Sequence, residues 1–163
     1  MTIDDLSDYG MVRMDDEEMR AHLSSHSIGV LGLPTDGAPS LRPMSYGYDP
    51  EADALYLLYI LGAGSRKADL SDRADAARFL VYSAETQFNW RSVLLTGHVH
   101  RVPADEADAV DERVALPWQP DLFRRAGAEE RTRLYRFDIA DWTGLKHVGL
   151  PPAFAAADEG ADD

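Results

Sequence analysis

Two hydrophobic periods take turns along this chain. Residues 26–33, with Ile28, Val30, Leu31 and Leu33, form a short apolar run that reads as a strand. Pro34, Asp36, Gly37 and Pro39 then supply a turn, and 40–48 follow as the second arm of a hairpin. Asp49, Pro50 and Asp53 mark the next turn. Residues 54–60 are nearly continuous in apolar character, as expected of a central strand. Residues 78–83 and 91–102 read as two more strands, and Gly97 inside the second predicts a bulge or bend. Residues 132–139 alternate around Leu134, Phe137 and Ile139 as a sixth strand, with 142–148 as a last short one. Helical spacing occupies 15–23, where four acids fill the first turn and Met19 and Leu23 share a face. It returns at 65–73 and again from Pro103 to about residue 115. Pro117 and Pro120 break that stretch before a further helix over 121–130.

Connections of two to five residues imply antiparallel pairing. Six strands with few helices predict a mainly β fold with flanking helices, closed as a small barrel. The chain of 163 residues is long enough for one domain with a real core. The expected organisation is a polar N-terminal arm over 1–14, a single domain over 15–150, and an acidic, disordered tail over 151–163.

Charge narrows the partners. Acids number 29, mostly Asp, against 16 bases, and the formal charge is −13. Such a surface disfavours nucleic acid and anionic membranes. Abundant Asp with only two lysines, Lys67 and Lys146, is the pattern of halophilic proteins. There is no cysteine, so disulfides and thiolate catalysis are excluded. Met1, Thr2, Ile3, Asp4 and Asp5 lack the basic start of a secretory signal, and a cytoplasmic location is the expectation.

Against this anionic background one local knot of positive charge stands out. The apolar run to Leu61 ends in Gly62 and Gly64 and delivers Ser65, Arg66 and Lys67 together. A hydroxyl, two cations and free backbone N–H groups suit a phosphate ester. The bland alternative is a solvated helix start. The segment lacks the third glycine of a dinucleotide-binding G-x-G-x-x-G and the G-K-[ST] ending of a P-loop. His98 and His100 share one strand face but have no third ligand at fixed spacing, so no metal is expected. His22, His26 and His147 are isolated in sequence.

Assembled in order, these pieces resemble the pyridoxamine 5′-phosphate oxidase-like, FMN-binding split-barrel family, and its nitroimidazole-reductase-like branch in particular. The carriers are Asp36-Gly37-x-Pro39 leading into Arg42, Pro43, Met44, Ser45 and Tyr46; the strand ending at Ile60 and Leu61 with Ser65, Arg66 and Lys67; Trp90, Arg91, Ser92 and Val93 followed by Gly97; and Trp142-Thr143-Gly144. The resemblance spans about residues 18–148. It implies a six-stranded antiparallel split β-barrel and a homodimer with FMN in its interface. It further implies that Arg42 and the Pro43–Tyr46 backbone face the flavin ring and ribityl chain. Ile60 and Leu61 would flank the ribityl and phosphate, and Ser65, Arg66 and Lys67 would hold the phosphate. Ser92 would reach in from the other subunit. Arg42 reads equally as an exposed strand residue, and Trp90 reads first as a core or interface aromatic. The Arg-Leu-His-Asp-Arg type of segment that serves vitamin B6 oxidation in the family is absent from 142–149.

The expected function is therefore that of an FMN-dependent oxidoreductase. It would carry electrons from NAD(P)H to a small organic acceptor, with the flavin rather than a protein nucleophile doing the chemistry. The alternative is a non-catalytic carrier or sensor of flavin, deazaflavin or haem on the same fold.

Overall fold

The structure is a computed structural model that describes residues 3–62, 65–114, 116 and 132–149. The expected helix over 121–130 and the tail over 151–163 lie outside the described residues. After a short helix α1 (Ile3–Leu6) and one turn of 3-10 helix (Ser7–Tyr9), the elements are β1 (Met11–Arg13), α2 (Asp16–Ser25), β2 (Ile28–Leu33), β3 (Ser40–Asp49) and β4 (Ala54–Ile60). Then come α3 (Lys67–Arg73), β5 (Ala77–Thr86), β6 (Asn89–Arg101), α4 (Ala104–Arg113) and β7 (Thr132–Val148).

All strand pairings are antiparallel, in the order β1-β7-β4-β3-β2-β5-β6, and β6 pairs back onto β7. That last ladder closes six strands into a barrel, the fold expected from the sequence. β1, inside the stretch read as an arm, adds to the far edge of β7 at Leu145–His147 positions. The strands expected at 132–139 and 142–148 are one continuous element. The bulge expected from Gly97 joins its two halves: Thr96 pairs with Asp141 and Gly97 with Ile139, so Ala140 is the extra residue. A Cβ at Gly97 would lie 2.0 Å from the Asp138 carbonyl oxygen, so only glycine permits this approach.

Inward-facing positions fill the barrel with Leu31, Leu33, Tyr46, Leu55, Leu57, Phe79, Val81, Val93, Leu95 and Phe137, all buried. Phe79 meets Tyr46 and Phe137 edge-on. α2 closes one side through Met19 and Leu23. Its start is a full capping box: Asp15 accepts from the Glu18 amide at 2.8 Å and Glu18 accepts from the Asp15 amide at 3.0 Å. α4 covers the outer side of β4 by packing Val110 on Tyr56, Val102 and Val114. Arg113 donates to the Tyr56 hydroxyl at 2.8 Å and pairs with the buried Asp49 at 3.3 Å. Asp49 also accepts from the amides of Glu51 and Ala52, fixing the β3–β4 turn in which Asp53 adopts φ 45°.

Candidate functional site

An open cleft of ≈ 750 Å³ lies between the β2–β3 hairpin and α3. Thr35, Pro39, Ser40, Leu41 and Arg42 form its hairpin side, and Ser65, Arg66, Lys67 and Leu70 form the other. The hairpin tip is locked by Thr35, whose hydroxyl donates to the Ala38 carbonyl at 2.6 Å and accepts from the Gly37 amide at 3.1 Å. Ser65 donates its amide to the Gly62 carbonyl at 3.1 Å. Three cations thus converge from two elements remote in sequence.

α3 is anchored from beneath. The Ser71 hydroxyl donates to the Lys67 carbonyl at 2.7 Å and shares a 2.6 Å bond with the Tyr59 hydroxyl on β4. Tyr59 stacks on Tyr135 with ring centroids 4.0 Å apart, and Tyr135 donates to Asp72 at 3.1 Å. Burial, reinforced by Asp72, pushes the Tyr135 phenol up to about 12. The Lys67 ammonium sits 5.3 Å above the Tyr59 ring. Burial, then the nearby Arg42 charge, holds its pKa below the ordinary lysine value. Among the described residues no carboxylate pairs with Arg42, Arg66 or Lys67. In a chain of charge −13, three neighbouring cations without a carboxylate make a local seat suited to an anion.

Of the residues singled out from sequence, Arg42, Ser65, Arg66 and Lys67 meet at this cleft. Met44 and Tyr46 turn into the core, and the Tyr46 hydroxyl donates to the Leu23 carbonyl at 2.8 Å. Pro43 and Ser45 point outward beside Ile28 and Val30. Leu61 packs against the core and Ile60 is exposed at the end of β4. Trp90 and Ser92 lie on β6, away from the cleft of their own chain, and the Trp90 ring lies 6.1 Å from that of His147. The sequence reading missed Thr35, Ser40, Leu41 and Leu70 as cleft residues. Leu70 was accessible to it, being one helical turn beyond Arg66.

The histidines behave differently from their sequence spacing. His98 bonds the Asp75 carbonyl and His100 pairs with Asp138 at 3.3 Å. His22 on α2 and His26, the residue that ends it, have ring centroids 4.2 Å apart with the planes tilted by 36°. Among the described residues no three metal-ligating side chains cluster, and no helix is long and apolar enough to cross a membrane.

The family model described as pyridoxamine 5′-phosphate oxidase matches residues 15–146. No curated protein matches the chain. The fold recurs in solved structures. An FAD-binding protein from Mesorhizobium loti has a TM-score of 0.66 at 16% identity, over 83% of this chain and 97% of that one. An FAD- and haem-binding protein from Mycobacterium smegmatis has a TM-score of 0.67 at 20% identity, over 94% and 81%. A candidate 5-nitroimidazole antibiotic resistance protein from Bacteroides thetaiotaomicron has a TM-score of 0.63 at 16% identity, over 83% and 87%.

Proposed function

This chain belongs to the pyridoxamine 5′-phosphate oxidase family, its residues 15–146 fitting the family model, and from that premise we propose that it is a flavin-dependent oxidoreductase. The observation that carries the reading is the meeting of Arg42, Arg66 and Lys67 in one cleft without a carboxylate among the described residues. The ligand is FMN, or the flavin mononucleotide half of a larger flavin. The M. loti and M. smegmatis proteins of the same fold are flavin binders by their descriptions, which supports the choice of ligand.

When bound, the flavin supplies the electron-transfer chemistry. The chain's own residues bind and orient it. Lys67 and Arg66 neutralise the phosphate, the Ser65 hydroxyl donates to it, and Arg42 approaches from the opposite wall. The anchor from Tyr59 through Ser71 keeps Lys67 from following solvent, so the phosphate is held at a fixed distance from β3. Electrons come from NAD(P)H and pass to a small organic acceptor in the cytoplasm.

The active form is a homodimer. The outer face of β2, β3, β5 and β6 supports this, because Ile28, Leu41 and Tyr82 are exposed on it and Val30, Leu80 and Leu94 are only half-buried. Trp90 and Ser92 share that face, where they can reach a second copy but not their own cleft.

Absorbance of the purified protein, followed by titration with FMN and with riboflavin, tests the proposal. The protein is expected to be yellow, and Lys67→Ala to weaken FMN about tenfold or more while sparing riboflavin, the scale of a charge-assisted hydrogen bond. Equal loss for both ligands, or none for either, sinks the phosphate assignment. An NAD(P)H-reduced protein whose reoxidation no quinone or nitro compound speeds would fit a carrier instead.

A further inference from the structure

The chain has only two lysines, and the structure treats them in opposite ways. Lys146 is bridged to the Glu18 carboxylate, which the capping box of α2 also engages. Lys67 has no carboxylate partner among the described residues. Its Nζ stands 5.3 Å over the Tyr59 ring, and the residue lines the open cleft together with Arg42 and Arg66. Burial first, and the Arg42 charge second, favour its neutral form. A lysine that is desolvated and set beside another cation is an activated nucleophile. Holding a phosphate makes no use of this property, because an anion is served best by an amine that stays charged.

We propose that Lys67 is a nucleophilic amine and that the cleft takes a small phosphorylated aldehyde, which Lys67 joins as a reversible imine. The phosphate lies between Arg42 and Arg66, which line the cleft from the hairpin and from the α3 side and whose planar donors suit its oxygens. The arginines, rather than the amine, answer the phosphate's charge. The carbonyl, at the other end of a short carbon chain, is left to Lys67. The neutral Nζ adds its lone pair to the carbonyl carbon, and the C=O pair moves to the oxygen. One amine proton passes through solvent to that oxygen, and the second leaves with it as water when the C=N bond forms. Amine and aldehyde become imine and water, and nothing is oxidised or reduced. Seating the phosphate holds the carbonyl near the amine and raises its effective concentration there. An aldehyde without a phosphate has no such hold. The proposal stands on the cleft's own side chains and does not depend on the flavin reading. A flavin phosphate and this aldehyde would exclude one another at the seat.

The test uses the full chain, stripped of any bound flavin, with glyceraldehyde 3-phosphate and glyceraldehyde as probes. Cyanoborohydride fixes the imine as a secondary amine, and peptide mass mapping places it. Glyceraldehyde 3-phosphate is expected to label Lys67 well ahead of Lys146. It is also expected to label Lys67 about tenfold or more faster than glyceraldehyde does, the scale of one charge-assisted contact. Arg66→Gln is expected to remove most of that advantage at an unchanged melting temperature. Labelling of Lys67 no faster than of Lys146, or equal labelling of Lys67 by the two aldehydes, overturns the assignment. So does a folded Arg66→Gln variant that keeps the full advantage. None of these results bears on the flavin, which the titration with FMN and riboflavin decides separately.

Discussion

Lys67 is caught between two environments. Burial and Arg42 disfavour its charge, so it releases its proton at a lower pH than a free lysine. Between that depressed pKa and the ordinary lysine value, the unfolded chain holds a proton that the folded one has lost, and folding grows more favourable as pH rises through the window. A bound phosphate favours the charged ammonium and reverses the shift. FMN binding within that pH window is therefore expected to take up protons, visible as a heat that depends on the buffer's ionisation enthalpy. Lys67→Arg, which stays charged, is expected to abolish the uptake. His22 gives the acid counterpart. It is buried, and burial and then His26 hold its pKa below the usual histidine value, against the opposing pull of the Val81 backbone and with Arg91 adding a little. As pH falls below about 6.5 the unfolded chain gains a proton that the folded chain resists, so stability drops. Thermal melts from pH 7.5 to 5 should show the decline, and His22→Gln should flatten it. No spacing in the sequence marks His22, because its burial depends on where α2 lands on the barrel.

At the scale of elements, the turns and caps carried most of the information. Asp15 and Glu18 wrote the start of α2 into the sequence as a reciprocal cap, and Asp15→Ala is expected to cost about 1 kcal/mol in chemical denaturation. The strand expected over 54–60 is β4 residue for residue, since a continuous apolar run between turn residues has few other uses. Gly97 announced the bulge but not its partner. Its Cβ would strike the Asp138 carbonyl oxygen and, at 2.8 Å, the Phe137 ring, both held by the barrel. Gly97→Ala is thus expected to cost about 3 kcal/mol or more, or to abolish folding, as judged by the denaturation midpoint. What the sequence hid was the continuity of β7. Ala140, Asp141 and their neighbours look like a turn because the bulge interrupts the alternation, and only the unbroken ladder to β6 shows one strand.

For the molecule as a whole, the decisive surface is the one that a single chain leaves uncovered. Tyr82 is 58% exposed and pairs across β5–β6 with Ser92, in the middle of the proposed dimer face. Tyr82→Asp would bury a charge against a second copy. It is expected to halve the mass seen by sedimentation and to weaken flavin binding in step, whereas a stable native monomer would remove the dimer from the proposal. Six of the strands, their antiparallel pairing and the basic knot at Ser65–Lys67 could be read in advance, because turn chemistry, alternation and charge act over a few residues. The identity of the opposite wall could not. Arg42 lies more than twenty residues from Lys67, and alternation alone gave it no face. Barrel closure, which folds the β2–β3 hairpin over α3, brought Thr35, Leu41 and Arg42 to the cations. Local propensities choose the pieces; which side chains finally share a cleft depends on long-range closure, to which a linear pattern carries no coordinate.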